Sequence, residues 1–308
     1  MRLYLAGIYT SNFCLDGSLY NRLTENEKFQ RKSVTHHLES YHYIHRQSFV
    51  DSIRRDKQTV FLDSGAFSAF TKGVEIDMPK YCRYIQDNAD IIKKEDNDIL
   101  ASVLDGIGDP LKTYQNQLKM EKLGVRPLPC FHYGEDERYL EWYIANYTYI
   151  TLGGMVPIST PQLKLWLDRI WEKYLIDGSG RPKIKVHGFG LTTISLMERY
   201  PWYSVDSSSW VQTARVGCML LLPEAKAINV SNQSPNRKVE GQHIDTLTPP
   251  QRKAVEERFQ KLGVDTERMR EAYLSRWCYN IYAYDQLGKQ MASRPNDQQF
   301  ILDQIGLF

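Results

Sequence analysis

Cysteine is scarce and scattered in this chain: Cys14, Cys82, Cys130, Cys218 and Cys278 form no C-x-x-C or C-x-C pair. That spacing argues against a cysteine-rich zinc site, and an odd set of isolated thiols suits a reducing compartment. No stretch approaches the roughly 20 apolar residues needed to span a bilayer. The first residues, Met1 to Gly7, lack the long apolar run of a signal peptide, so a cytoplasmic setting is expected. A dominant charge is lacking too. Lys and Arg number 39 against 37 Asp and Glu, leaving a net charge of +2, and any contact with nucleic acid must come from local patches. Neither G-x-G-x-x-G after a first strand nor G-x-x-x-x-G-K-[ST] occurs, which weakens nucleotide-cofactor readings. No cofactor and no metal are expected.

What is present is a repeating grammar. With 308 residues the chain is long enough for one barrel-sized domain or two smaller ones. Short apolar runs at 3–8, 59–62, 99–104, 125–131, 149–152, 183–186, 203–205 and 217–222 read as strands. Most are followed by a helical segment. Several end at a residue suited to chemistry: Asp63, Asp105, His132, Gly153-Gly154, His187 and Asp206. Strands and helices alternating in this way predict an α/β fold, a (β/α)8 TIM-type barrel over 1–224. A doubly wound open sheet is the alternative, since periodicity alone does not close a sheet. A loop and a C-terminal helical extension over 225–308 are expected to pack on the barrel. In that extension 229–242 reads as a mobile loop, Thr248-Pro249-Pro250 opens one helix, and Asp265 caps a second running to about 287. In the tail, 293–308, Phe300, Ile301, Ile305, Leu307 and Phe308 could dock. Between the first two strands, His36, His37, His42 and His45 crowd together near Glu39. A helix over 33–53 with solvated imidazoles is the plainer reading than a metal site.

In a barrel the strand C-termini converge on one mouth, where catalysis sits. Asp63, Asp105 and Asp206 meeting there would repel one another and spread their pKa values, leaving one as a proton carrier and another as an ionised nucleophile. The plainer reading of any one of them is a helix cap. A carboxylate nucleophile paired with a carboxyl acid/base is the arrangement for chemistry at a sugar anomeric carbon. Gly153-Gly154 removes side chains where backbone N–H groups could meet a flat polar ligand, or simply makes a tight turn. Phe67 and Phe189, each beside small residues, could sandwich a planar base or pack in a core.

These residues carry a resemblance. Asp63-Ser64-Gly65-Ala66-Phe67 resembles the Asp-Ser-Gly-Gly-aromatic motif of the tRNA-guanine transglycosylase family. Leu152-Gly153-Gly154-Met155 resembles its Leu-Gly-Gly segment, and His187-Gly188-Phe189-Gly190 its Gly-x-Gly segment. Asp206 falls where the nucleophilic Asp should be. The likeness spans about residues 59 to 210. The family's tRNA enzymes carry a Cys-x-Cys-x-x-Cys…His zinc site after the last barrel strands, where this chain has only Cys218, Cys278 and His243. With the segments 104–110, 131–134 and 208–210, this departure makes the chain similar to the phage branch of the family, the DpdA-like DNA 7-deazaguanine transglycosylases.

The resemblance implies DNA as partner, with a flipped or single-stranded guanosine nucleotide, and a 7-deazaguanine base of the preQ0 type as small-molecule substrate. It implies Asp206 as nucleophile, Asp63 as general acid/base, and Asp105 with the Gly153-Gly154 backbone as readers of the base edge. Phe67 would stack on the base, His187 or Phe189 would close its other side, His132 or Tyr133 would stand near the family's base-reading Gln, and Ser64 would line the pocket. It implies the host cytoplasm if the chain is phage-encoded. Arg237 and Lys238 in the loop, with Arg252 and Lys253 on the helix after it, are candidate DNA contacts; a solvated, salt-bridged helix face is the plainer reading.

Overall fold

The computed structural model describes residues 1–191 and 193–292. The proposed docking of the 293–308 tail lies outside the described residues. The fold is α/β. Seven strands, β1 (Arg2–Ala6), β2 (His37–Ser40), β3 (Val60–Asp63), β4 (Cys130–His132), β5 (Tyr149–Gly153), β6 (Lys185–Gly188) and β7 (Ser204–Ser207), form one curled sheet in the order β3-β2-β1-β7-β6-β5-β4. Every pairing in it is parallel. Parallel strands are covered on both faces and read as nearly continuous apolar runs. Val60-Phe61-Leu62 and Tyr149 to Gly153 are indeed buried throughout. Alternation then divides the side chains. Tyr4, Leu38, Phe61 and Tyr149 cluster with Leu100 and Leu128 on the inner face. Leu3, Leu5, Ile150, Leu152, Val186 and Val205 pack outward under helices.

Between the sheet's edge strands β3 and β4 runs 100–103. Leu62 N donates to Leu100 O at 2.8 Å and Ser102 N to Leu62 O at 2.9 Å, while Val103 N donates to Leu128 O at 3.0 Å and Leu128 N to Ala101 O at 2.8 Å. The expected strand over 99–104 is therefore a segment bridged to both edges.

Two expectations are corrected. The helix predicted over 33–53 is interrupted by β2, which pairs with β1 and β3, and helices occupy only Tyr41–Ile44 and Gln47–Arg55. Two polar residues, His37 and Glu39, disguise that strand, yet both are buried. Glu39 is accommodated because it accepts hydrogen bonds from Tyr9 N at 2.6 Å, Thr10 N at 3.2 Å and Thr10 Oγ1 at 2.8 Å. The run at 217–222 is a strand but not a member of the parallel sheet. β8 (Cys218–Leu221) makes an antiparallel hairpin with β9 (Lys226–Asn229), and the expected boundary at 224–225 falls in its turn. A connection this short returns the chain antiparallel, whereas a parallel neighbour needs a crossover of a dozen residues or more.

The extension is tied to the sheet. Helix Pro249–Lys261 starts with a Thr248–Gln251 capping box, and Asp265 caps Thr266–Glu271. The predicted second helix breaks near Ala272 and continues as Tyr273–Ala292. The loop 229–242, expected to be mobile, is hydrogen-bonded at its start: Val230 N donates to Gly217 O at 2.8 Å and Asn232 N to Arg270 O at 3.2 Å. Asn280 accepts from Leu220 N at 3.1 Å and donates to Trp210 O at 3.2 Å and Cys218 O at 3.1 Å. Gly288 sits on Leu3, where an added Cβ would lie 3.0 Å from the Leu3 Cβ. No helix among the described residues is long and apolar enough to cross a membrane.

Candidate active site

Strand parity places the candidate residues. Asp206 is level with Tyr4 in the β1–β7 pairing and shares its inward face. Asp63 stands two residues above Phe61 on β3, and Cys130 and His132 on β4 stand above Leu128, which precedes that strand. An apolar plug thus closes the sheet's interior from below, and polar groups gather at the C-terminal ends of the strands.

Asp206 is fixed from one side. Its Oδ1 accepts from Gly190 N at 2.8 Å and lies 3.3 Å from His187 Nε2. His187 Nδ1 is 2.6 Å from Ser204 Oγ, which is 2.6 Å from the Tyr149 hydroxyl. Burial holds the His187 pKa below the ordinary imidazole range, against the raising pull of Asp206. The proton placement follows from a neutral ring. Tyr149 donates to Ser204, Ser204 to Nδ1, and Nε2–H to the carboxylate, which accepts only. His187 is fully buried, packed with Phe61 and Phe189 at ring centroid distances of 4.6 and 4.7 Å. It therefore orients Asp206 from below, and the expectation that it might close over a base is corrected. Ser204 and Tyr149 escaped the sequence reading.

Asp63 terminates β3. Its Oδ2 accepts from Gly65 N at 3.0 Å and its Oδ1 from Ser102 Oγ at 3.4 Å. Burial, and then the charges of Asp105 and Asp206, push its pKa up to about 7, against the lowering effect of the Gly65 and Ser102 bonds. Asp63 thus feels the charges of both other predicted aspartates. The turn after Asp63 needs glycine: Gly65 has φ +77°, and a Cβ there would lie 2.3 Å from Ser40 Oγ. Ser64 is buried; its N–H donates to Ser102 Oγ at 2.8 Å and its hydroxyl accepts from Ala66 N at 3.4 Å. It serves the turn and does not line the mouth.

Asp105 meets His132 rather than standing alone. His132 Nε2 lies 3.5 Å from Asp105 Oδ2 and 3.4 Å from Cys130 Sγ, while Nδ1 is 2.8 Å from Glu135 Oε1. Burial opposes the charged imidazolium, but Cys130 and Asp105 outweigh it and carry the His132 pKa far above the usual range. Burial pushes the Cys130 thiol up to about 11. Gly153 backs this group, since a Cβ there would lie 2.9 Å from Cys130 Sγ and 3.0 Å from His132 Cδ2. Gly154, at φ +67°, turns the chain against His132 and Tyr133. Cys130 and Glu135 were missed in the sequence; a Cys-x-His on one strand face followed by Glu at i+3 was the available signal.

Phe189 packs on Phe61 and His187, whereas Phe67 is 64% exposed on the helix Ala66–Thr71. Of the basic candidates, Arg252 pairs with Glu256 at 2.7 Å and Lys253 with Glu257 at 3.9 Å, the salt-bridged surface of the plainer reading. Arg237 donates to Asn232 O at 3.2 Å and lies 3.8 Å from Asp245, and Lys238 is exposed. The extension stands toward the mouth end. Gly288 lies at the foot of β1, whereas Asn280 reaches Trp210, whose indole donates to Ala6 O at the top of β1. A groove lies elsewhere, at the strands' N-terminal ends beside Arg2, Lys183, Lys185 and Trp202. It borders Ala292, the last described residue.

Fold and site together define an α/β chain whose curled parallel sheet collects Asp63, Asp105, Asp206 and two histidines at one end. Compared with protein-family models and with curated proteins, the chain finds no match.

Proposed function

We propose that this protein is a transglycosylase that exchanges guanine in DNA for a 7-deazaguanine. The arrangement that supports the reading is one carboxylate held by donors, Asp206, at the same end of the sheet as another, Asp63, whose pKa burial and neighbouring charges push up to about 7. In this reading the Asp206 carboxylate attacks C1′, the C1′–N9 bond breaks, and Asp63 gives its proton to the departing guanine. The incoming base then returns a proton to Asp63 as its nitrogen displaces Asp206, so two inversions retain configuration. Asp105 Oδ1, buried without a partner, meets the polar edge of the base together with the Gly153-Gly154 backbone, and Phe67 and Phe189 offer its faces. C1′ is shielded in a duplex, so the substrate is a flipped or single-stranded nucleotide.

The sheet itself is best read as the wall of a closed (β/α)8 barrel, with 100–103 as its eighth strand. Support comes from the hydrogen bonds of that segment to β3 on one side and to residue 128 on the other. The reading implies a cytoplasmic setting, the host's if the chain is phage-encoded.

The direct test supplies radiolabelled guanine or 7-cyano-7-deazaguanine with single-stranded DNA or with tRNA. Label should enter DNA. Entry into tRNA alone would replace the polymer, and entry into neither would remove the reading. Replacing both Arg237 and Lys238 by Ala should weaken DNA binding and reduce the slope of log affinity against log salt by about 1–2. An unchanged slope would exclude that loop as a phosphate contact.

A further inference from the structure

Beside the carboxylate pair stands a cluster of unlike donors. Cys130 and His132 are two apart on β4 and face the same way, and Asp105 follows the segment bridged to that strand's approach. Cys130 Sγ is 3.4 Å from His132 Nε2, and Nε2 is 3.5 Å from Asp105 Oδ2. All three donor atoms lie within 4.8 Å of one another, and no other group of this kind occurs among the described residues. A tetrahedral zinc-type ion, with metal–sulfur near 2.3 Å and metal–nitrogen or –oxygen near 2.0–2.2 Å, spaces its ligand atoms about 3.3–3.6 Å apart. The two separations match that spacing.

Two further features support an occupant. Glu135 Oε1 holds His132 Nδ1 at 2.8 Å, the outer carboxylate that fixes a metal-binding imidazole with its other nitrogen free. Gly153 supplies space that any side chain would fill, because a Cβ would lie 2.9 Å from Cys130 Sγ.

We infer that Asp105, Cys130 and His132 form a binding site for a divalent transition-metal ion of the zinc class. Thiolate and imidazole donors select zinc or cobalt over magnesium or calcium. Three protein ligands leave a fourth position for water or a ligand heteroatom. Oδ2 of Asp105 serves the ion, which leaves Oδ1 for a base edge. The site does not depend on the base-exchange reading, and its test needs no turnover.

The competing occupant of the same geometry is a proton, with His132 charged between Asp105 and Glu135. Full-length protein is stripped of metal, supplied with zinc or cobalt(II), and desalted. Elemental mass spectrometry should find about one zinc per chain, and the cobalt form should show a thiolate-to-cobalt charge-transfer band. Cys130→Ser, checked for folding by circular dichroism, should lose that band. Glu135→Gln, which keeps every ligand, should weaken zinc affinity by roughly 10–100-fold. The inference is overturned if zinc stays substoichiometric, if the band survives in Cys130→Ser, or if nitrogen-15 NMR of the zinc-supplied protein finds protons on both His132 ring nitrogens.

Discussion

Asp206→Asn should abolish base exchange, lowering it by roughly 10⁴-fold or more, the scale on which removing a nucleophile leaves only binding and the remaining groups. The substitution is close to isosteric, and the amide oxygen can still accept from Gly190 N, now bonded at 2.8 Å. Folding should therefore be kept, and loss of activity would not reflect collapse of the mouth. DNA affinity should change little, because the proposed phosphate contacts, Arg237 and Lys238, lie on the loop and not on Asp206. The positioning chain gives a graded comparison. Ser204→Ala breaks the link between Tyr149 and His187 but leaves the carboxylate in place. A full loss in Asp206→Asn beside a partial loss in Ser204→Ala separates attack from orientation. Equal losses would indicate a structural effect alone.

Asp63→Asn should cost about 10²–10⁴-fold in exchange, the usual contribution of a positioned acid/base, and should remove a limb from the pH profile. In the proposed mechanism guanine departure needs the Asp63 proton, so that half-reaction should slow as pH rises through about 7. Capture of the incoming base needs the carboxylate, and it speeds up over the same range. Adduct formation measured alone should fall with pH in the native protein and stay flat in Asp63→Asn.

The same shift has a stability sign. The folded-state pKa of about 7 lies above the ordinary 3.8, so between those values the folded state binds more protons than the unfolded one. Stability from Asp63 is full below the lower value and is lost as pH rises through about 7. Asp63→Asn should therefore stabilise the protein above that pH, by roughly 4 kcal/mol, and be nearly neutral near pH 4. Chemical denaturation at both pH values reads this difference. Destabilisation at high pH would mean that the carboxylate is held charged by a partner.

Much of the frame was legible because parallel strands covered on both faces keep their apolar runs intact. Val60 to Leu62 and Tyr149 to Leu152 announce themselves and stop at Asp63 and Gly153. β2 was hidden because Glu39 is accepted in the interior through the N–H groups of Tyr9 and Thr10 and the Thr10 hydroxyl, far away in sequence. Cys218 to Leu221 looked like a barrel strand, since the same pattern serves an antiparallel hairpin and only the pairing decides. In the site, the carboxylates and histidines showed as strand ends. What could not be read was register. Ser204 meets His187, Thr151 meets Cys130 and Gly153 meets His132 because of particular strand alignments, and these follow from packing across the whole sheet.

The measurement closest to the central claim is the covalent intermediate. Protein mixed with single-stranded DNA containing guanine is denatured, digested and mapped by mass spectrometry. A deoxyribosyl-DNA adduct on Asp206, released when 7-cyano-7-deazaguanine is added before quenching and absent from Asp206→Asn, is the expected result. An adduct on another residue, or exchange that proceeds undiminished in Asp206→Asn, would contradict it.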